Sequence, residues 1–453
     1  MDQLRPETGS KTADRSQIRR VTGASVIGTV MEWYDFFLYG TAAALVFNRL
    51  FFPEAGALGG VLASFATLGV GFLARPLGGV IFGHLGDRFG RKFTLVTTLL
   101  IMGLSTTLIG VLPTAAAIGV WAPVLLVFLR VVQGIAVGGE WGSAAAMIVE
   151  SAPPRRRGYF GGWLQISGGV GTLLSTGAFS LVSLLPDDEF LAWGWRLPFL
   201  FSIVLAVAGL IMRRTLKETE VFQAARESAH KKSSPVIEVF KRHPKELLIA
   251  AGLRLPESVT YYMVTVFTLF YTESILGMDR QVALTSTLVV VSIAIVTLPF
   301  FGRLSDRVGR RPLYLGGAIL SVFLPFIYFP MVETTSPFLV LLAFILIINT
   351  GRDLQYGPQP AYLAELFDDD VRTTGVNIAA QLGGVIGGGF APFIATALYG
   401  WGGLMPVTIY VAAVCALGAI AAYFAPETAG RPFGSTSEPA RTGEARRLAT
   451  EGA

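Results

Sequence analysis

GHLGDRFGRK, residues 83–92, returns as GRLSDRVGRR, residues 302–311. Gly83 aligns with Gly302, Asp87 with Asp306, Arg88 with Arg307, Gly90 with Gly309 and Arg91 with Arg310. A polar segment copied with its charges in register marks the chain as duplicated. A weaker echo supports this: Glu150 precedes Arg155, Arg156 and Arg157, and Glu365 precedes Arg372. What lies around the copies decides what was duplicated.

Outward from each copy the chain is apolar. Of 453 residues, 52% are hydrophobic and only 15% charged, with a mean hydropathy of +0.58. A soluble domain of that make-up would expose far too much apolar surface, so lipid is the expected solvent. Runs of about 20 apolar residues suit membrane helices. Twelve are expected, over 21–47, 58–83, 93–112, 121–150, 158–185, 194–212, 246–275, 281–302, 312–331, 337–365, 375–399 and 403–425. Each copy of the motif follows the second span of its half. The expected fold is therefore an all-α membrane protein of twelve transmembrane helices in two pseudo-symmetric six-helix bundles. Its divisions are a tail over 1–20, a first bundle over 21–212, a linker over 213–245, a second bundle over 246–425 and a tail over 426–453. The first span is too long, and its flank too lacking in a cleavage site, for a removable signal peptide.

Charge placement sets the orientation. Of the 36 Lys and Arg, 29 fall in the tails and in segments following even-numbered spans, and only Arg49 and Arg280 fall on the other side. The positive-inside rule makes both termini cytoplasmic. The net charge of +5 is thereby explained by topology, and no nucleic-acid partner is expected. The linker, rich in alternating charge, reads as short surface helices; the last tail, rich in Gly, Ser, Thr and Glu, reads as disordered. Single Cys415 allows no internal disulfide. His84, His230 and His243 stand apart, so no metal site is expected.

Charged groups inside spans cost about 2.5–3.5 kcal/mol each at mid-membrane on insertion scales, so each calls for a partner or a task. Glu32 and Asp35 lie three apart on one face of the first helix. Two carboxylates so close in a poorly hydrated place do not both ionise easily, so one is expected to bind a proton near neutral pH. Arg75 precedes Pro76 in mid-span, where a guanidinium suits bidentate contact with a carboxylate ligand; a fixed pair with Glu32 is the rival reading. Arg254 and Glu257, again three apart, allow an intrahelical pair, yet Arg254 is also the second substrate-binding candidate. Gln133 shares the Arg130 face, and either bonds a substrate hydroxyl or ties two helices together. Arg352 and Asp353, being adjacent, are not expected to share a face. Glu140 reads as helix-binding rather than substrate-binding. Glycines at four-residue spacing (Gly134, Gly138, Gly142; Gly384, Gly388) permit close helix approach, and Pro76, Pro198, Pro256, Pro299, Pro358 and Pro392 supply bending points.

The doubled GxxxDRxGRR segment resembles the signature of the major facilitator superfamily. EWYDFFLYG (32–40), RPLGGVIFGHLGDRFGRK (75–92), RVVQGIAVGGEWG (130–142), GWRLPFLFS (194–202) and GGVIGGGFAP (383–392) resemble its metabolite:proton symporter branch. TAAALVFNRLFFP (41–53), LLSTGAFSLVS (173–183), PVIEVFKRHP (235–244) and LRLPESVTYYMVT (253–265) are most similar to shikimate permeases. The resemblance covers about residues 20–425. It implies proton-coupled import of a small organic acid, shikimate or a related hydroxylated cyclic carboxylate, by a monomer in the bacterial cytoplasmic membrane. The proton gradient drives it and no cofactor is implied. Asp35, with Glu32 beside it, resembles the first-helix coupling acid, and Arg130, heading the RxxQG motif, its partner. Substrate contacts are expected from Arg75, Arg254, Gln133, Gln165, Tyr34 and Trp33. Gating is expected from Gly83, Asp87, Arg88, Gly90, Arg91, Glu150, Asp306, Arg307, Arg310 and Glu365, with Asp87 accepting from the start of a neighbouring helix.

Other carboxylates (2-oxoglutarate, citrate, aromatic acids) and zwitterions such as proline or betaine are the alternative substrates. A passive channel needs neither a duplicated gating segment nor a buried acid–arginine pair. An enzyme is disfavoured, since HExxH, GxSxG and P-loop patterns do not occur.

Overall fold

The computed structural model describes residues 15–89, 91–138, 140–215, 235–369 and 371–431; among these, the side chains of 15–28, 80, 83–84, 86–95, 140, 209, 211–215, 235 and 237 are not described. The described residues contain helices and no strand. In a bilayer every backbone N–H and C=O must be satisfied within the segment, and a continuous helix does so. Consecutive helices join into twelve rods: α1 (15–50), α2 (Gly56–Phe89), α3 (Arg91–Val111), α4 (Trp121–Ser151), α5 (Arg157–Val182), α6 (187–215), α7 (244–275), α8 (Arg280–Val308), α9 (310–333), α10 (Pro337–Glu365), α11 (Arg372–Gly402) and α12 (Leu404–Phe424).

Among the described residues, seven helices are by themselves long and apolar enough to span a membrane, and the bent pair Arg310–Phe323 and Pro325–Glu333 makes an eighth. Rod α3 enters only as a shorter apolar helix, Val96–Val111, while α1, α5 and α7 fall outside that set and bury polar groups. They carry Glu32 and Asp35, the Gly/Ser/Thr-rich face of residues 161–176, and Arg254 and Glu257, all buried inside the protein. Outward faces show the reverse chemistry: Leu73, Phe128, Leu181, Val296, Phe300, Trp401 and Phe424 are exposed. A surface this apolar suits lipid rather than water.

Rods α1–α6 pack among themselves, as do α7–α12; the halves meet along α5 against α8, α2 against α11, α1 against α7, and α4 against α11. Glycine makes the closest approaches. A Cβ on Gly302 would meet Gly158 O of the opposite half, and one on Gly138 would meet Arg75 O and Gly79 N.

Three expectations are corrected. Spans two and eight were placed to end at 83 and 302, with the motif as a loop; helix instead continues to Phe89 and Val308. In the second copy the chain turns at Gly309, whose φ of +111° is a conformation costly for any residue with a Cβ. The sixth rod starts near Asp187, seven residues early, because a π turn over Phe190–Gly194 carries the helix on. The last tail was read as disordered from 426, but Glu427 accepts from Arg310 N (2.9 Å) and Arg311 N (3.1 Å), capping α9. Residues 432–453, like 216–234 of the linker, lie outside the described residues; Pro235–Arg242 is a short helix.

Candidate functional site

Arg75 is 7% exposed in the middle of α2, its Cζ 3.9 Å from the Phe36 ring centre and 4.1 Å from that of Phe72. Phe36 belongs to α1, so the cation is held between two rods by ring faces rather than by acids. Arg75 makes no ion pair among the described residues, and its Nε and Nη2 are buried without a hydrogen-bond partner there. Glu32, Tyr262 and Arg254 lie within its electrostatic reach. Leaving such donors unmatched costs about 1–3 kcal/mol each, more for a charged group.

Asp35 is 4% exposed on α1. Its Oδ1 accepts from Ser202 Oγ of α6 at 3.1 Å, and Thr106 of α3 lies within hydrogen-bonding reach. Arg130, fully buried on α4, forms no ion pair with Asp35 here, although the two charges interact. Its Nη1 donates to Gln133 Oε1 at 2.5 Å, and Gln133 Nε2 donates to Thr106 Oγ1 at 2.7 Å. A polar chain thus runs from Arg130 through Gln133 and Thr106 to Asp35. Because both ends of the Gln133 amide are engaged, the side chain ties α3 to α4 in this conformation. Arg130 has room only because Gly71 lacks a Cβ, which would meet its Nε.

The second half holds a matching set. Arg254 Nη1 pairs with Glu257 Oε1 at 2.7 Å and donates to Gln359 Oε1 at 2.5 Å. Arg352 Nη2 lies 3.6 Å from Glu257 Oε2, and its Nη1 3.2 Å from Asp353 Oδ1. Adjacent residues were not expected to meet; the π turn Leu346–Arg352 widens the helix before Asp353 and brings them together. Thr297 Oγ1 (2.6 Å) and Asn349 Nδ2 (2.9 Å) donate to Asp353 Oδ2, and Arg352 Cζ lies 3.8 Å from the Tyr356 ring centre. Near the centre each half therefore contributes two buried guanidiniums (Arg75 and Arg130; Arg254 and Arg352) and two buried carboxylates (Glu32 and Asp35; Glu257 and Asp353).

The other expected substrate contacts are already engaged here. Gln165 Oε1 accepts from Trp141 Nε1 at 3.2 Å, and its Nε2 donates to Tyr356 O at 3.0 Å. Tyr34 donates to Pro198 O at 2.7 Å. Trp33 stacks on Phe37 at 5.4 Å, with a buried Nε1 lacking a hydrogen-bond partner among the described residues. Thr106, Tyr262 and the Arg352–Asp353 contact were not anticipated. The signals were faint: Thr106 sits in an ordinary apolar run, and nothing in VTYYM separates Tyr262 from Tyr261.

Both ends of the interface are bridged. At the end carrying the repeats, Asp306 Oδ1 and Oδ2 accept from Gly158 N and Tyr159 N at 2.9 Å each, so an acid of α8 sits on the N-terminus of α5. Arg310 Nη1 holds the same carboxylate at 2.8 Å, and its Nε reaches Glu365 Oε2 at 3.2 Å. Arg157 lies 3.7 Å from Glu365, and Arg372 3.0 Å from Glu150, both across the interface. Arg307 faces a surface cleft of about 640 Å³ beside Arg311 and Glu427. Gly90 lies outside the described residues, as do the side-chain positions of Gly83, Asp87, Arg88, Arg91 and Glu140. At the opposite end, Arg49 pairs with Glu273 at 2.9 Å, and Arg280 with Asp187 at 2.7 Å. The charged centre lies between these two bridged ends. Among the described residues no group of three His, Cys, Asp or Glu could hold a metal ion.

Comparison with known proteins bears on what such a centre does. A family model described as Major Facilitator Superfamily matches residues 25–380 and 279–450. The chain is 46% identical to the shikimate transporter of Escherichia coli (strain K12), over 92% of this chain and 96% of that one. It is 33% identical to the glycine betaine/proline/ectoine/pipecolic acid transporter OusA of Dickeya dadantii (strain 3937), over 97% and 89%. Among solved structures, the proton:xylose symporter XylE superposes with a TM-score of 0.70 at 18% identity, covering 92% of this chain and 98% of that one. This last likeness speaks to the fold.

Proposed function

This chain belongs to the major facilitator superfamily, and on that premise we propose that it imports shikimate or a related hydroxylated cyclic carboxylate by proton symport. Membership makes it a multi-pass membrane transporter of a small molecule rather than an enzyme. One observation carries the anionic substrate: Arg75, buried at the centre, has two guanidinium nitrogens unmatched and no paired acid among the described residues. A carboxylate supplies two acceptor oxygens in the geometry a guanidinium presents. Asp35 is the proton site, and the Thr106–Gln133–Arg130 chain links its protonation to α4. The substrate's ring lies against Trp33 and Phe37, and Arg254 is the second anchor.

In this reading residues 21–212 and 246–425 rock against each other about the centre, joined by the linker 213–245. The end carrying the repeats faces the cytoplasm with both termini, and the membrane is the bacterial cytoplasmic one. The monomer is the functional unit, and the proton gradient is the only energy source. Betaine-like zwitterions are the rival class, since OusA shares a third of the sequence. Arg75, Arg130 and Arg254, all near the centre, repel a quaternary ammonium.

The test is accumulation of labelled shikimate in a host without its own importer, with and without a protonophore. Uptake is expected to collapse with the protonophore, to be competed by cyclic hydroxy acids and not by betaine, and to lose its uphill component in Asp35→Asn while downhill exchange survives. Accumulation that ignores the protonophore, or that persists in Asp35→Asn, refutes the coupling; betaine outcompeting the acids refutes the substrate class.

A further inference from the structure

Tyr262 belongs to none of the pairs described above. It stands on α7 just before the π turn Met263–Phe267 and is 3% exposed. Its ring is wedged between Phe37 (5.7 Å) and Phe72 (5.8 Å), both of the first half. On the other side Gly388 lets α11 close in, because a Cβ there would come within 2.9 Å of ring Cε2. So tightly held a ring has a fixed hydroxyl position. That hydroxyl is buried and has no hydrogen-bond partner among the described residues. Around it, within electrostatic reach, are Arg75, Arg130 and Arg254, with Glu257 the acid of the set. Glu257 is already shared by Arg254 and Arg352. Arg75, which interacts electrostatically with Tyr262, has two further donors unmatched among the described residues, and both residues pack on Phe72.

Three donors unmatched among the described residues, in a field dominated by guanidiniums, suit an anion with at least two acceptor oxygens. We propose that Tyr262 and Arg75, from opposite halves, grip one carboxylate of the substrate together, and that Tyr262 thereby sets the preference for free acids over their neutral analogues. The assignment rests on the anion-import reading above. Because α2 and α7 belong to different halves, the carboxylate also joins the two halves when bound, which ties occupancy to closure.

The experiment compares wild type with Tyr262→Phe, which keeps the ring and removes only the hydroxyl. Counterflow of labelled shikimate, normalised to membrane abundance, gives KM and Vmax; competition by shikimate and by its methyl ester gives the acid-to-ester preference. As a second measurement, thermal stabilisation of the purified proteins by acid and by ester reads binding on folded molecules. The expected result is a KM raised about tenfold or more in Tyr262→Phe, as for a lost hydrogen bond to a charged group. Vmax should change little and the acid-to-ester preference should fall by a similar factor. An unchanged preference, or a collapse of Vmax at unchanged KM, overturns the role of Tyr262. Failure of the wild type to take up or be stabilised by any carboxylate overturns the anion-import reading, and this assignment with it.

Discussion

Replacing Asp306 by Asn tests whether the doubled motif holds one end of the transporter shut. The carboxylate accepts two backbone N–H groups across the interface, at 2.9 Å each, and is 4% exposed at its side chain. Asn keeps the shape but offers one carbonyl oxygen and no charge. One charge-assisted bond is lost outright, worth about 1.5–3 kcal/mol, and the other weakens toward the neutral value of about 1 kcal/mol. Arg310 is not stranded, because Glu365 still holds it. When the end opens, α5 leaves α8 and these bonds break in wild type too, so the loss falls on the closed state alone. A bias of about 2–3 kcal/mol raises the open population by about 30- to 150-fold. The readout is an introduced cysteine at Ala361, fully buried where α10 meets α5, in a chain whose single native Cys415 is replaced by Ala. A membrane-impermeant maleimide applied to inside-out vesicles labels it only when the motif end opens. A labelling rate within twofold of the parent refutes the latch, as does a faster rate that leaves Gly161 on the facing rod, replaced by Cys, equally slow.

Arg75→Lys keeps the charge but loses the two-pronged geometry, so KM for the acid rises at least tenfold at unchanged membrane abundance; a KM within threefold of wild type, measured by counterflow, removes Arg75 from the substrate site. Arg49→Ala breaks a pair whose arginine side chain is 40% exposed, worth about 0–1 kcal/mol. External labelling near the opposite end then rises less than about fivefold, and a larger rise would mean that this pair is the main outer lock. Gly138→Ala drives a methyl into Arg75 O and Gly79 N, an overpacking cost of about 1–3 kcal/mol. Reduced thermal stability of the purified protein is expected, and an unshifted melting temperature would show that α2 and α4 separate freely.

Much of the candidate site was legible because a charge inside a membrane span is costly and stands out against apolar neighbours. Arg75, Arg130, Asp35, Arg254 and Glu257 were each visible on that ground. What a polar side chain bonds to was not legible, since partners come from rods far apart in sequence. The sequence could not show that Gln165 bonds Trp141 and Tyr356 O, or that Tyr34 donates to Pro198 O, in this conformation. Arg130 and Asp35 read as a direct pair and are joined through Gln133 and Thr106.

By itself the sequence determined the number of rods, the duplication, and which rods hide charge, because hydropathy, repeats and the expense of a buried ion are local properties. The tertiary structure alone decided that Asp306 caps α5, that Glu427 caps α9, that a π turn precedes the Arg352–Asp353 contact, and that the Tyr262 hydroxyl has no hydrogen-bond partner among the described residues. Each of these depends on the relative rotation and height of packed rods. A helix's sequence states which face is polar, while only its neighbours determine what that face meets.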